Sequence, residues 1–185
     1  MIIAIILLAI IIILILYVVF AYNRLVRLQN LNKEGWSGID VQLKQRANLI
    51  PNLVESVKGY MGHERGVLEQ VTQLRTQALA SGTVQERAQN ENMLTSALRQ
   101  LFAVSENYPD LKASQNFIQL QDSLANIENQ IQLARRYYNG TVRDLNIAIQ
   151  SFPSNLIAQS FHFTPAEFFE IEDLKEREVP AVKFI

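Results

Sequence analysis

The sequence contains no cysteine. Disulfides, cysteine-ligated zinc, iron–sulfur clusters, thiol nucleophiles and a lipoprotein cysteine are thereby excluded, although the absence fixes no compartment. Histidine is scarce as well: His63 and His162 stand far apart in the chain. That argues against a histidine-rich metal site and leaves carboxylate-bound metals open. An excess of one charge is also missing, with 17 Lys+Arg against 18 Asp+Glu and a formal net charge of -1. Without a basic excess to neutralise phosphates, nucleic acid is not an expected partner. Glycine (7) and proline (5) are few, and they stand mostly near expected helix ends. There is no internal repeat. The 185 residues leave room for one domain, or two at most.

What is present in excess is a single apolar run. Met1–Tyr22 carries no polar or charged residue. At 1.5 Å rise per residue such a helix reaches roughly 33 Å, enough for a hydrocarbon core of about 30 Å. Tyr17, Phe20 and Tyr22 cluster at its end, where aromatic rings favour the membrane interface. A cleaved signal peptide wants a basic start, an apolar stretch of about 7–15 residues and a small-residue cleavage site. No charge precedes this run and it is too long, so an uncleaved transmembrane anchor is expected at 1–22. The remaining residues, 23–185, are expected to form a helical-bundle domain whose last ~30 residues make a short helical or extended cap. Arg24, Arg27, Lys33, Lys44 and Arg46 follow the run against Glu34 and Asp40. The positive-inside rule then puts the domain in the cytoplasm; the competing reading is that these are ordinary helix-surface residues.

Beyond the run the apolar spacing is helical. Trp36, Ile39, Leu43, Ile50, Val54 and Val57 mark a first helix over about 24–60, which can run on from the anchor without a break. Gly35, Gly38 and Pro51 are its weak points, and Pro51 should bend it or free a carbonyl. Val67, Val71, Leu74 and Ala78 predict a second helix over about 63–80. Leu94, Leu98, Leu101 and Val104 predict a third over about 84–107, capped by Thr83 and ended by Tyr108-Pro109-Asp110. The longest stripe is Phe117, Leu120, Leu124, Ile127, Ile131, Ala134, Tyr138, Val142, Leu145 and Ile149, a helix from Ser114 to about Ile149 that contains Gly140. A short helix is expected at 154–159 and another from Thr164-Pro165, with Thr as cap and Pro at the first position. The expected fold class is all-α: an elongated antiparallel four-helix bundle on a single N-terminal transmembrane helix.

Reactive constellations are hard to assemble. His63-Glu64 would need a second histidine at position 67, which is Val67. Gly59-Tyr60-Met61-Gly62 lacks the Lys-Ser/Thr of a phosphate loop. His162, between Phe161 and Phe163, is expected to be packed. No catalytic, cofactor-binding or metal residue is assigned. The residues singled out are structural or interaction candidates: Trp36, Arg46, Pro51, Glu128, Arg135, Phe161, Phe163, Phe168 and Phe169. Glu128 adjoins seam residue Ile127. It is either half of a buried ion pair, with Arg135 or an arginine of another helix, or a solvated surface residue. Phe152, Leu156, Ile157, Phe161, Phe163, Phe168, Phe169 and Ile171 form an aromatic-rich patch that either caps the bundle or mediates assembly. Glu167, Glu170, Glu172, Asp173, Glu176 and Glu178 give an acidic C-terminal segment, either a solvated face or a complement to the basic juxtamembrane end.

These motifs together resemble the LemA family. The resemblance rests on Trp36-Ser37-Gly38-Ile39-Asp40-Val41-Gln42-Leu43-Lys44-Gln45-Arg46, on Leu49-Ile50-Pro51-Asn52-Leu53-Val54, and on Val57-Lys58-Gly59-Tyr60 with His63-Glu64. It continues through Tyr108-Pro109-Asp110-Leu111-Lys112-Ala113, Glu128-Asn129-Gln130-Ile131, Ala134-Arg135-Arg136-Tyr137-Tyr138-Asn139, Phe152-Pro153-Ser154-Asn155 and Val182-Lys183-Phe184. Gln45, Asn48 and Gly140 depart from the family's pattern. The resemblance implies an anchored bacterial membrane protein with a helical-bundle domain and no recognised enzymatic activity. The leading expectation is a non-enzymatic scaffold that self-assembles as a homo-oligomer on the inner membrane, with membrane lipid as a partner. The alternative is an adaptor for a membrane protease or other envelope protein. An enzyme acting on lipid or envelope substrates is a third, weaker reading. No cofactor is expected.

Overall fold

A computed structural model describes residues 1–61 and 64–170. The chain is all-α. Helix α1 spans Ile2–Lys58, α2 Arg65–Ala80, α3 Val84–Ser105, α4 Pro109–Lys112, α5 Gln115–Gln150 and α6 Ser154–Ser160. His63 and Ile171–Ile185, with the acidic residues from Glu172 to Glu178, lie outside the described residues. The expected bounds of α2, α3 and α5 and the end of α1 hold within a few residues, and α1 runs on from the apolar run without a break. The four-residue α4 was not foreseen: Pro109 starts a helical turn there, with its fixed φ and missing N–H suited to the first position, and seats Leu111 in the core. The helix expected from Thr164-Pro165 is absent, since residues 163–170 are non-helical. There the backbone is held by side chains instead. Asn146 Nδ2 donates to Ala166 O at 2.9 Å, and Ala166 N–H donates to Asn146 Oδ1 at 2.8 Å.

The chain divides into two compact units. The first comprises Met1–Leu43 and Ile127–Phe168. In it α1 and α5 run antiparallel. Leu25 packs with Leu145, Ala148, Ile149 and Ala158, and farther along the Trp36 ring lies 5.6 Å from that of Tyr138. Gly35 stands at the crossing. A Cβ there would come 3.2 Å from Tyr138 Cα and 3.3 Å from Thr141 Oγ1, a tight contact to which a neighbour would have to yield by a few tenths of an ångström. Gly38, one turn on, meets nothing within 4 Å. Gly35 is therefore a contact point between helices rather than a weak point.

The second unit comprises Lys44–Asn126 and the segment that begins at Phe169. Its core gathers Ile50, Leu53 and Val57 from α1, Val71 and Leu74 from α2, Leu94, Leu98 and Leu101 from α3, Leu111 from α4, and Phe117 and Leu124 from α5. Thr83 caps α3 by a reciprocal box: Glu86 N–H donates to Thr83 Oγ1 at 3.2 Å, and Thr83 N–H donates to the Glu86 carboxylate at 3.3 Å. Pro51 sits inside α1, which continues through it. Having no N–H, it leaves the carbonyl of Ala47, four residues back, without its helical donor. Arg75 of α2 supplies that donor, with Nε 2.6 Å from Ala47 O.

Candidate functional site

The most concentrated polar chemistry is a buried arginine–glutamate network in the second unit. Arg46, Glu91 and Arg87 are 2%, 4% and 7% exposed. Arg46 Nη2 pairs with the Glu91 carboxylate and also donates to Glu91 O at 3.3 Å. Its Nη1 donates to Thr95 Oγ1 at 2.7 Å. Arg87 reaches the same carboxylate at 3.2 Å, one helical turn away on α3. One carboxylate is thus gripped by guanidinium groups from α1 and α3. Burial of such groups is tolerated only when hydrogen bonds replace the lost water, as they do here. The network fixes the register of α1 against α3.

Glu91 and Arg87 were not singled out from the sequence, although a signal exists. Positions 87, 91, 94, 98 and 101 follow the three-and-four rhythm of the α3 seam, so Arg87 and Glu91 extend the buried stripe with charge. Glu128 is half-buried on α5 and accepts from Gln132 Nε2 at 3.3 Å. Gln132 Oε1 in turn accepts from Arg135 Nη1 at 3.3 Å, so Gln132 bridges the two along one helix face.

Pro51 is exposed, and its effect is the Ala47–Arg75 bond. Trp36 is half-buried against Tyr138. Tyr138 Oη donates to Glu167 O at 2.8 Å, which ties the chain after α6 to α5. Burial pushes the Tyr138 phenol above its ordinary value; the Asn32 side-chain hydrogen bond opposes the rise and the Glu167 carboxylate adds to it.

The aromatic patch is split. Phe169 is buried, Phe163 is half-buried, and Phe161 and Phe168 are exposed. Phe161 and Phe163 both face Tyr22, with centroids 4.8 and 5.9 Å from its ring. His162 between them is exposed rather than packed, and its backbone has φ 58°. It ends α6 in a Schellman turn: Phe163 N–H donates to Ala158 O and His162 N–H to Gln159 O. The left-handed turn is what lets both flanking rings reach one tyrosine. Among the described residues, no three His, Asp or Glu side chains gather as a metal site. An open groove of about 530 Å³ lies between the end of α1 and α2, with Val54, Met61 and Leu68 on its apolar lining and Lys58, Arg65 and Glu69 among its polar residues.

The LemA family profile matches residues 35–184. The chain is similar to Protein LemA of Metamycoplasma hominis, 29% identical over 159 residues, which cover 85% of this chain and 72% of that protein. It is also similar to Magnetosome protein MamQ 2 of Paramagnetospirillum magneticum, 23% identical over 175 residues, and to Magnetosome protein MamQ of Magnetospirillum gryphiswaldense, 21% over 174. Both matches cover 80% of this chain, which spans 64% of each magnetosome protein's length.

Proposed function

Since this chain belongs to the LemA family, which is not a known enzyme family, we propose that it is a non-enzymatic membrane-anchored scaffold that assembles with copies of itself. The observation that carries this reading is the start of α1. Its most apolar window has mean hydropathy 3.7 and is 0% buried within the chain. A helix that apolar with no protein cover fits lipid as its solvent. The strongest polar cluster, Arg46–Glu91–Arg87, is buried and internally paired, which suits a brace better than a reactive centre. Relatives named for a cellular structure, the magnetosome, rather than for a reaction also support a structural role. The excess of Arg and Lys after Tyr22 favours the inner membrane with the helical body on its cytoplasmic face.

The second reading, an adaptor for a membrane protease or other envelope protein, is favoured by the apolar groove along Val54, Met61 and Leu68. The deciding measurement is the mass of the full chain extracted gently into lipid nanodiscs. The scaffold predicts a uniform particle of many copies. A single copy at every concentration removes the scaffold, and a co-purifying partner in fixed ratio favours the adaptor.

A further inference from the structure

The segment Leu145–Ala166, between Asp144 and Glu167, contains no Asp, Glu, Lys or Arg, in a chain that is 19% charged. It comprises the end of α5, the corner at 151–153, α6 and the turn after it. Solvent-facing corners are normally polar outside and apolar inside. Here the inside is apolar, with Leu145, Ala148, Ile149 and Ala158 buried, but large apolar side chains face outward as well. Ile147, Phe152, Leu156 and Phe161 are 54%, 80%, 54% and 51% exposed. Three of its polar side chains turn back onto the chain's own backbone: Ser154 Oγ donates to Ala148 O at 2.7 Å, Ser160 Oγ to Leu156 O at 2.8 Å, and Asn146 clamps Ala166; Gln150, Gln159 and His162 are exposed.

The location of this corner is set by α1. The Phe161 ring lies 4.8 Å from that of Tyr22, the last residue of the apolar run, tilted by 57°, and Ala158, Ile149 and Leu145 pack on Leu25 one turn later. The exposed apolar tip therefore lies level with Tyr22, at the end of the apolar run, where the exposed Arg24 and Arg27 follow in sequence. We propose that the α5–α6 corner is a second membrane contact. Phe152, Leu156 and Phe161 enter the interfacial layer of the leaflet from which α1 emerges, and the occupant of this surface is lipid. Aromatic rings gain most at that depth, and a charge-free tip has nothing costly to desolvate there. Two points of attachment also hold α1 and α5 at a set angle to the membrane, which a single helix does not do.

This inference rests on Ile2–Tyr22 being a membrane span, so the test reads both. The chain has no cysteine, and single cysteines carrying a nitroxide report alone. The full chain is reconstituted in vesicles of phosphatidylethanolamine and phosphatidylglycerol, with the label in turn at Ile11→Cys, Phe152→Cys, Leu156→Cys and Gln130→Cys. Gln130 is exposed on α5, roughly 30 Å along the helix from its end at Gln150. Depth is read as accessibility to oxygen relative to a water-soluble nickel chelate. The expected ratio at 152 and 156 is several-fold above that at 130 and below that at 11. Ratios at 152 and 156 equal to that at 130, with 11 in lipid, overturn the corner contact and leave the anchor standing. Low access of both reagents at 152 and 156 means protein cover, as from a second copy, and also overturns it. An aqueous ratio at 11 overturns the anchor reading and this inference with it.

Discussion

Tyr138 shows how much one residue can be asked to join. Its ring meets Trp36, its Cα is the near neighbour that a Cβ at Gly35 would crowd, and its hydroxyl holds Glu167 O. Because burial raises its pKa, the folded state keeps its proton to higher pH than the unfolded chain, in which tyrosine ionises near pH 10. Above that pH the unfolded state binds fewer protons, so stability falls as pH rises toward the folded-state value, and below it Tyr138 contributes no pH dependence. Tyr138→Phe should therefore flatten the alkaline loss of melting temperature. At neutral pH it should cost about 1 kcal/mol through the lost hydrogen bond. Parallel alkaline limbs in thermal melts of the two proteins would remove this account. His162 makes a different point. Its value is in its backbone, since an αL residue was needed between two phenylalanines that face one tyrosine.

At the level of elements, the helices are joined by polar devices as much as by apolar seams. Arg75 closes the gap that Pro51 opens in α1, and the Arg46–Glu91–Arg87 network links α1 to α3. Removing one member of a buried network leaves charge without compensation, whereas replacing all members with apolar residues of similar size is often neutral. Glu91→Ala should cost about 3–5 kcal/mol by chemical denaturation of the detergent-solubilised chain. The triple replacement Arg46→Met, Arg87→Met, Glu91→Leu should recover most of that loss. A triple variant weaker than Glu91→Ala would show that the charges stabilise the fold beyond mutual compensation. The long helices were legible because steps of three and four recur along α2, α3 and α5. The helix expected at Thr164-Pro165 failed because a cap and an N1 proline permit a helix without requiring one, and Asn146 and Tyr138 offer residues 166 and 167 other hydrogen-bond partners.

For the whole molecule, the prediction concerns sidedness. The charge pattern after Tyr22 predicts a helical body that faces the cytoplasm. A membrane-impermeant maleimide should label Gln130→Cys in inside-out membrane vesicles and spare it in right-side-out ones. The reverse pattern would refute the orientation while leaving the anchor itself intact.

The sequence alone determined the all-α class, the apolar leader, the approximate extents of the long helices and the family resemblance, because each is written in local spacing or in a contiguous motif. It also marked Arg46, Pro51, Trp36 and the aromatic residues as notable without saying what they touch. Only the tertiary structure decided that Arg46 meets Glu91, that Arg75 answers Pro51, that Gly35 is a crossing point and that the Phe161 ring meets that of Tyr22. The physical reason is distance along the chain. Those partners are separated by 45 residues for Arg46 and Glu91 and by 28 for Ala47 and Arg75. Pairings that far apart are set by how whole helices pack, which no local periodicity encodes.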